Sequence, residues 1–258
     1  MTSQRNETAL VLGRSIGSGK DADAFELGEA VVKLFKPEVP KHTAFREAAS
    51  LAQAEAFGLP VPVVRDVRRI DGRWGVVMSR VEGPPFAESA LAHPSDTAAY
   101  LKAMVLLHVR VHACEVTFFS GLKARLRTNI RRAAELDEER RSELLAELAR
   151  LPDGDRLCHG DFHPWNVLGT IDRPSLIDWT SAARGSPAAD VCRTYVLMKP
   201  SVPALAQAYV ETYAGHSGES VEGIFAWLRV VAAARLADGV PHEVDGLLAM
   251  ISSCHPER

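Results

Sequence analysis

The apolar pattern of this chain changes period part-way along it. From Leu10 to Ile70 the apolar runs are short and strand-like (ALVLGRSIG, DAFELG, AVVKLF, VPVVRDVRRI), broken by one stretch of helical spacing from Lys41 to Phe57. RWGVVMSRVEGPPF reads as a further apolar strand that stops at Gly83-Pro84-Pro85, a strong breaker, and sets a boundary near residues 79–84. Beyond it the spacing is helical at 95–113, 121–134, 138–150, 188–198 and from Pro203 onward, and only 157–179 returns to strands. This order predicts an α+β protein of two parts: a small antiparallel β-rich lobe with one helix at 1–80, and a larger, mainly helical lobe at 81–258.

Charge and cysteine usage narrow the setting. The formal net charge is −3 with both signs interspersed, so no nucleic-acid-binding face and no polybasic membrane anchor is expected. The N-terminus MTSQRNETALVLG is polar and no run of ~18 apolar residues occurs, so no export signal or membrane span is expected either. Cys114, Cys158, Cys192 and Cys254 are far apart and form no C-x-x-C pair, which fits a reducing cytoplasm. Nothing in the sequence specifies an oligomeric state.

The chemistry concentrates in Leu157-Cys158-His159-Gly160-Asp161-Phe162-His163-Pro164-Trp165-Asn166-Val167-Leu168, followed by Pro174-Ser175-Leu176-Ile177-Asp178-Trp179. Short apolar strands flank a polar loop and deliver acids and an amide. Phosphoryl transfer needs one carboxylate near an acceptor hydroxyl and hard oxygen ligands for Mg²⁺, which Asp161, Asn166 and Asp178 supply. The H-x-D-x-H spacing of His159, Asp161 and His163 suggests instead a metal centre built on imidazoles, but no further ligands stand in a recognisable register.

Upstream parts suit a nucleotide. Ile16-Gly17-Ser18-Gly19-Lys20-Asp21-Ala22 lies between two predicted strands, as a phosphate-covering glycine loop does, although a plain β-turn explains Gly17 and Gly19 equally well. Lys33 interrupts the apolar strand Ala30–Phe35, and a buried ammonium asks for a carboxylate. Glu47 shares a helix face with Ala44, Ala48 and Leu51, which turns it toward the core.

HGDFHPWNV followed by LIDW resembles the signature of the aminoglycoside phosphotransferase family, whose relatives include choline, homoserine, methylthioribose and fructosamine kinases. The resemblance implies a two-lobed protein-kinase-like fold, with Asp161 as catalytic base and Asn166 and Asp178 as Mg²⁺ ligands. ATP or GTP would lie beneath Gly17, Ser18 and Gly19, with Lys33 on its phosphates and Glu47 fixing Lys33. Backbone groups from Ser79 to Val81 would meet the adenine edge. In GSPAADV, Asp190 would brace the catalytic loop, whereas Trp165 stands where relatives often have glycine.

Between Asp178 and Gly185 there is no room for the peptide-docking activation segment of protein kinases, so the acceptor should be a small hydroxylated molecule. From Ser201 to Arg258 seven acids face three bases, which tilts the expectation toward a cationic acceptor such as an aminoglycoside or amino sugar. A nucleotide-binding pseudokinase or an atypical protein kinase are the competing readings. His108 and His112 are spaced H-x-x-x-H, but Leu101, Met104, Val105 and Val111 share their face and predict core histidines.

Overall fold

The structure, a computed structural model, describes residues 11–253. Ala9 and Leu10 of the first expected strand, Cys254, and the terminal charges Glu257 and Arg258 lie outside that range. The described chain divides into two compact units, 11–82 together with 175–180, and 83–174 together with 181–253.

The first unit is built on five antiparallel strands: β1 (Ser15–Ser18), β2 (Ala22–Leu27), β3 (Ala30–Phe35), β4 (Val64–Ile70) and β5 (Arg73–Ser79), in the order β1-β2-β3-β5-β4. Residues 11–14, expected to be strand, are not; Gly13 and Arg14 make only isolated backbone bonds with Glu26. Alternation along β3 sends Ala30, Val32 and Leu34 into a core with Ile70 and Val77. Lys33 therefore points to the opposite face. Helix α1 (Lys41–Ala56) begins after Pro40, whose fixed φ suits a helix start, and buries Ala44, Glu47, Ala48, Leu51 and Ala54 on one stripe.

The second unit is mainly helical. Helices α2 (Phe86–Ala92), α3 (Thr97–His112), α4 (Leu122–Arg132) and α5 (Glu138–Arg150) precede strand β6 (Arg156–Cys158). The hairpin of β7 (Val167–Thr170) and β8 (Arg173–Leu176) then carries the chain back into the first unit. After a short turn at Trp179–Ser181, β9 (Ala183–Gly185) pairs antiparallel with β6, Cys158 opposite Ala183. Helices α6 (Pro187–Met198), α7 (Pro203–His216), α8 (Val221–Phe225), α9 (Leu228–Leu236) and α10 (Val244–Ser252) complete the unit. Helix α6 is buried on nearly every side, Ala188, Val191, Cys192, Tyr195 and Val196 among its covered residues. A helix this deeply covered is a rigid platform for whatever it touches.

Gly83 reports a close approach inside the second unit. Its φ is +98° and an added Cβ would lie 2.8 Å from the Cα of Gly169, so neither a side chain nor an ordinary backbone conformation is accommodated. Around it, Gly169 N–H donates to the Pro84 carbonyl at 3.0 Å and Ala87 N–H to the Pro164 carbonyl at 3.1 Å. Among the described residues no helix is long and apolar enough to cross a membrane.

Candidate functional site

In the first unit, Lys33 gathers three oxygens. Its Nζ donates to Glu47 Oε1 at 2.8 Å, to Asp178 Oδ1 at 2.7 Å and to Thr180 Oγ1 at 3.2 Å. Burial disfavours the ammonium, but the Glu47 and Asp178 carboxylates outweigh it and raise the Lys33 pKa. Glu47 moves up too: its own burial dominates, with the Lys33 charge only partly opposing it. Glu47 Oε2 is buried without a hydrogen-bond partner, which fits an acid held by one ionic contact in a dry setting.

Asp178 sits at φ +61°, a left-handed conformation that costs a residue with a side chain roughly 1–3 kcal/mol. Its charge-assisted bond to Lys33, together with the Thr180 hydroxyl donating to Asp178 Oδ1 at 2.8 Å, offsets a cost of that size. The neighbouring Trp179 anchors the segment, fully buried and donating from Nε1 to the Leu176 carbonyl at 3.0 Å.

The β1–β2 turn is tight, with Gly19 N–H donating to the Ala22 carbonyl at 2.9 Å and Ser18 Oγ to Asp23 Oδ1 at 2.8 Å. A Cβ at Gly17 would lie 3.8 Å from Ala24 Cβ, and one at Gly19 3.5 Å from the Ala22 carbonyl oxygen; neither glycine has positive φ. The turn itself therefore does not demand glycine at either position. What the missing side chains leave open is the exposed surface of the hairpin, where a backbone can approach a ligand closely. Ser79 ends β5. Its N–H donates to the Val63 carbonyl at 2.8 Å and its hydroxyl accepts from Val63 N–H at 2.9 Å, so the Ser79 amide is already spent. Val81 lies just past the end of β5 and is half-buried.

In the second unit, Asp161 and Asn166 are brought together. Asn166 Nδ2 donates to the Asp161 carbonyl at 2.9 Å and reaches its Oδ2 at 3.3 Å, and His163 Nε2 at 3.2 Å. Among the described residues these side-chain partners are all on the amide nitrogen. Burial alone would raise the Asp161 pKa; His163, 3.5 Å from Oδ2, and Arg193 outweigh it and hold the carboxyl well below the usual range. Trp165, the departure from glycine, is 53% exposed.

Asp190 fastens this loop to α6. Its Oδ2 accepts from His159 N–H at 2.7 Å and its Oδ1 from Gly160 N–H at 2.8 Å. Its place in the first turn of α6 favours negative charge, and its pKa is lowered well below normal: burial opposes, but hydrogen bonds from His108 and His112 prevail. Gly160 itself is obligatory, with φ +79° and a hypothetical Cβ only 2.3 Å from the Ser181 carbonyl oxygen.

His108, His112 and Asp190 are close enough to be ligands of one ion, but their atoms are already committed. The two Nε2 atoms lie 3.1 and 3.2 Å from Asp190 Oδ2, while His108 Nδ1 accepts from Tyr209 and His112 Nδ1 from Tyr213. Burial beside His112 pushes His108 down to about 3, so it is neutral, and its ring stacks on Phe162 at 3.9 Å. This is a closed hydrogen-bond network rather than a metal centre. The same holds for His159, fully buried, whose Nδ1 accepts from Asp161 N–H at 3.3 Å.

The acids of the C-terminal helices are less available than their count suggests. Asp238 pairs with both Arg193 and Arg235, and Glu243 with Arg235. Arg193 and the hydroxyls of Tyr209 and Tyr213 were missed by sequence reasoning, because each is an ordinary residue on an ordinary helix with no spacing signal.

The family described as "Phosphotransferase enzyme family" matches residues 13–241. No curated protein matches the chain. Among solved structures it is similar to an aminoglycoside-3'-phosphotransferase of type VIII (25% identity, 88% of this chain and 92% of that one, TM-score 0.60). It is also similar to an aminoglycoside phosphotransferase from Streptomyces rimosus in complex with ADP and streptomycin (21%, 83% and 90%, TM-score 0.62). A choline/ethanolamine kinase family protein from Mesorhizobium loti matches at 18% identity over 96% and 90% of the two chains, with TM-score 0.66. The fold is thus kinase-like, with a five-stranded antiparallel N-terminal lobe and a larger helical C-terminal lobe.

Proposed function

The chain belongs to the phosphotransferase enzyme family, and from that premise we propose that it moves the γ-phosphoryl group of ATP, or GTP, to a hydroxyl of a small molecule in the cytoplasm. Aminoglycosides and amino sugars are the first acceptors to try. The observation that carries the reading is the half-buried Lys33, held as a cation by Glu47 and Asp178 and so available to phosphate oxygens.

The donor set fits Mg²⁺. Asp178 and Asn166 would offer a carboxylate and an amide oxygen, hard ligands of the kind that ion prefers. When bound, Mg²⁺ neutralises charge on the triphosphate. The residues do the rest by position. Gly17, Ser18 and Gly19 would cover the phosphates with backbone N–H groups, and Lys33 would turn from Asp178 toward them. Around Ser79 and Val81 the base would be read by the Ser79 carbonyl and the backbone of Val81. Asp161, ionised and fixed by Asn166, would orient the acceptor hydroxyl and accept its proton as the oxygen attacks phosphorus. Because the transition state is loose, orientation and charge neutralisation supply more than basicity does.

A screen of labelled ATP and GTP against aminoglycosides, other hydroxylated antibiotics, amino sugars and choline-like alcohols tests this. Label on a small molecule supports the reading; label on protein points to a protein kinase, and nucleotide binding without transfer to a pseudokinase.

A further inference from the structure

Arg193 lies one turn beyond Asp190 on α6 and reaches the same loop. Asp190 holds the Gly160 N–H; Arg193 Nε donates to the Gly160 carbonyl at 2.7 Å. Both polar groups of one residue, immediately before Asp161, are therefore fixed by the same buried helix. The Arg193 side chain is only 14% exposed, and its Nη2 stands 3.8 Å from Asp161 Oδ1 and 3.2 Å from Asp238 Oδ2. Asp238 is shared with Arg235 Nη1 at 2.9 Å, and Arg235 grips Glu243 through Nε at 2.7 Å and Nη2 at 2.8 Å. Charges alternate from the loop through Arg193, Asp238 and Arg235 to Glu243 in the turn before α10.

A half-buried ion chain of this length is an expensive way to add stability, since each charge gives up water and apolar packing would serve as well. Geometry gives it a use. A guanidinium can donate to a backbone carbonyl and a carboxylate at once in a fixed plane, which an ammonium on a flexible stem cannot reproduce. We propose that Arg193 is a positioning residue for phosphoryl transfer, setting the Gly160–Asp161 peptide, and that Asp238, Arg235 and Glu243 hold its guanidinium in place. This rests on the reading of Asp161 as the base.

Amide hydrogen exchange over residues 157–168 of the full chain, with ATP turnover to water as the kinetic probe, tests it in Arg193→Ala, Arg193→Lys and Asp238→Asn. Loss of one charge-assisted bond should speed exchange at Gly160 and Asp161 by about tenfold or more in both Arg193 variants, and by less in Asp238→Asn. Turnover should fall by about tenfold with KM for ATP within about twofold, and Arg193→Lys should not rescue it. Wild-type protection in both Arg193 variants, or restoration by lysine, overturns the proposal. If Arg193→Ala does not fold, the lysine and Asp238→Asn variants carry the comparison. An Asp161→Asn control separates the two readings: if it hydrolyses ATP normally the base assignment falls, while loop exchange still decides the role of Arg193.

Discussion

Lys33 Nζ lies 2.7 Å from an oxygen of Asp178, a residue 145 positions later in the chain. The contact joins the strand that carries the cation to the segment that returns to the first unit, and Glu47 completes it from α1. One ammonium serves two carboxylates, so removing it withdraws a favourable charge from both.

Lys33→Met is therefore expected to destabilise the fold by about 3 kcal/mol, in the range for breaking a buried pair from one side. Urea unfolding measures this. Adding Glu47→Gln should recover part of the loss, because the orphaned acid is then neutral.

Gly160→Ala should cost about 3 kcal/mol or more, since positive φ and a 2.3 Å approach to the Ser181 carbonyl coincide at one residue. Gly58→Ala is the control: it has positive φ but nothing within 4 Å of the added Cβ, and should cost distinctly less in the same unfolding assay.

Acid should weaken the protein through His108. Burial pushes its folded pKa down to about 3, below the ~6.5 of an unfolded histidine. Between those values the unfolded chain binds the proton and the folded one does not, so stability falls as pH drops below ~6.5, by about 2 kcal/mol at pH 5 from this residue. His108→Gln cannot take the proton, and its stability between pH 7 and pH 5 should be flatter by that amount, read from urea midpoints.

Much of the site was legible locally. Lys33 declared itself by interrupting an apolar strand, and Glu47 by sharing helical spacing with Ala44, Ala48 and Leu51; the structure joins them at 2.8 Å. Strand and helix order followed from period, although residues 11–14 lack the sheet partners that an apolar run cannot announce, and β9 and α2 were too short to show a period. The Asp178 contact with Lys33, the spent amide of Ser79, and the chain from Arg193 to Glu243 depend on tertiary placement. The last of these also corrects the charge argument: Asp238 and Glu243 balance arginines inside the fold, so the preference for a cationic acceptor rests on fewer acids than the sequence counts.

The central claim is that Asp161 orients and deprotonates the acceptor. Phosphoryl transfer from labelled ATP by Asp161→Asn, compared with the wild-type chain at matched folding by circular dichroism, measures it most directly. A fall of about 100-fold or more with nucleotide affinity retained is expected; wild-type turnover in a normally folded variant would contradict that role.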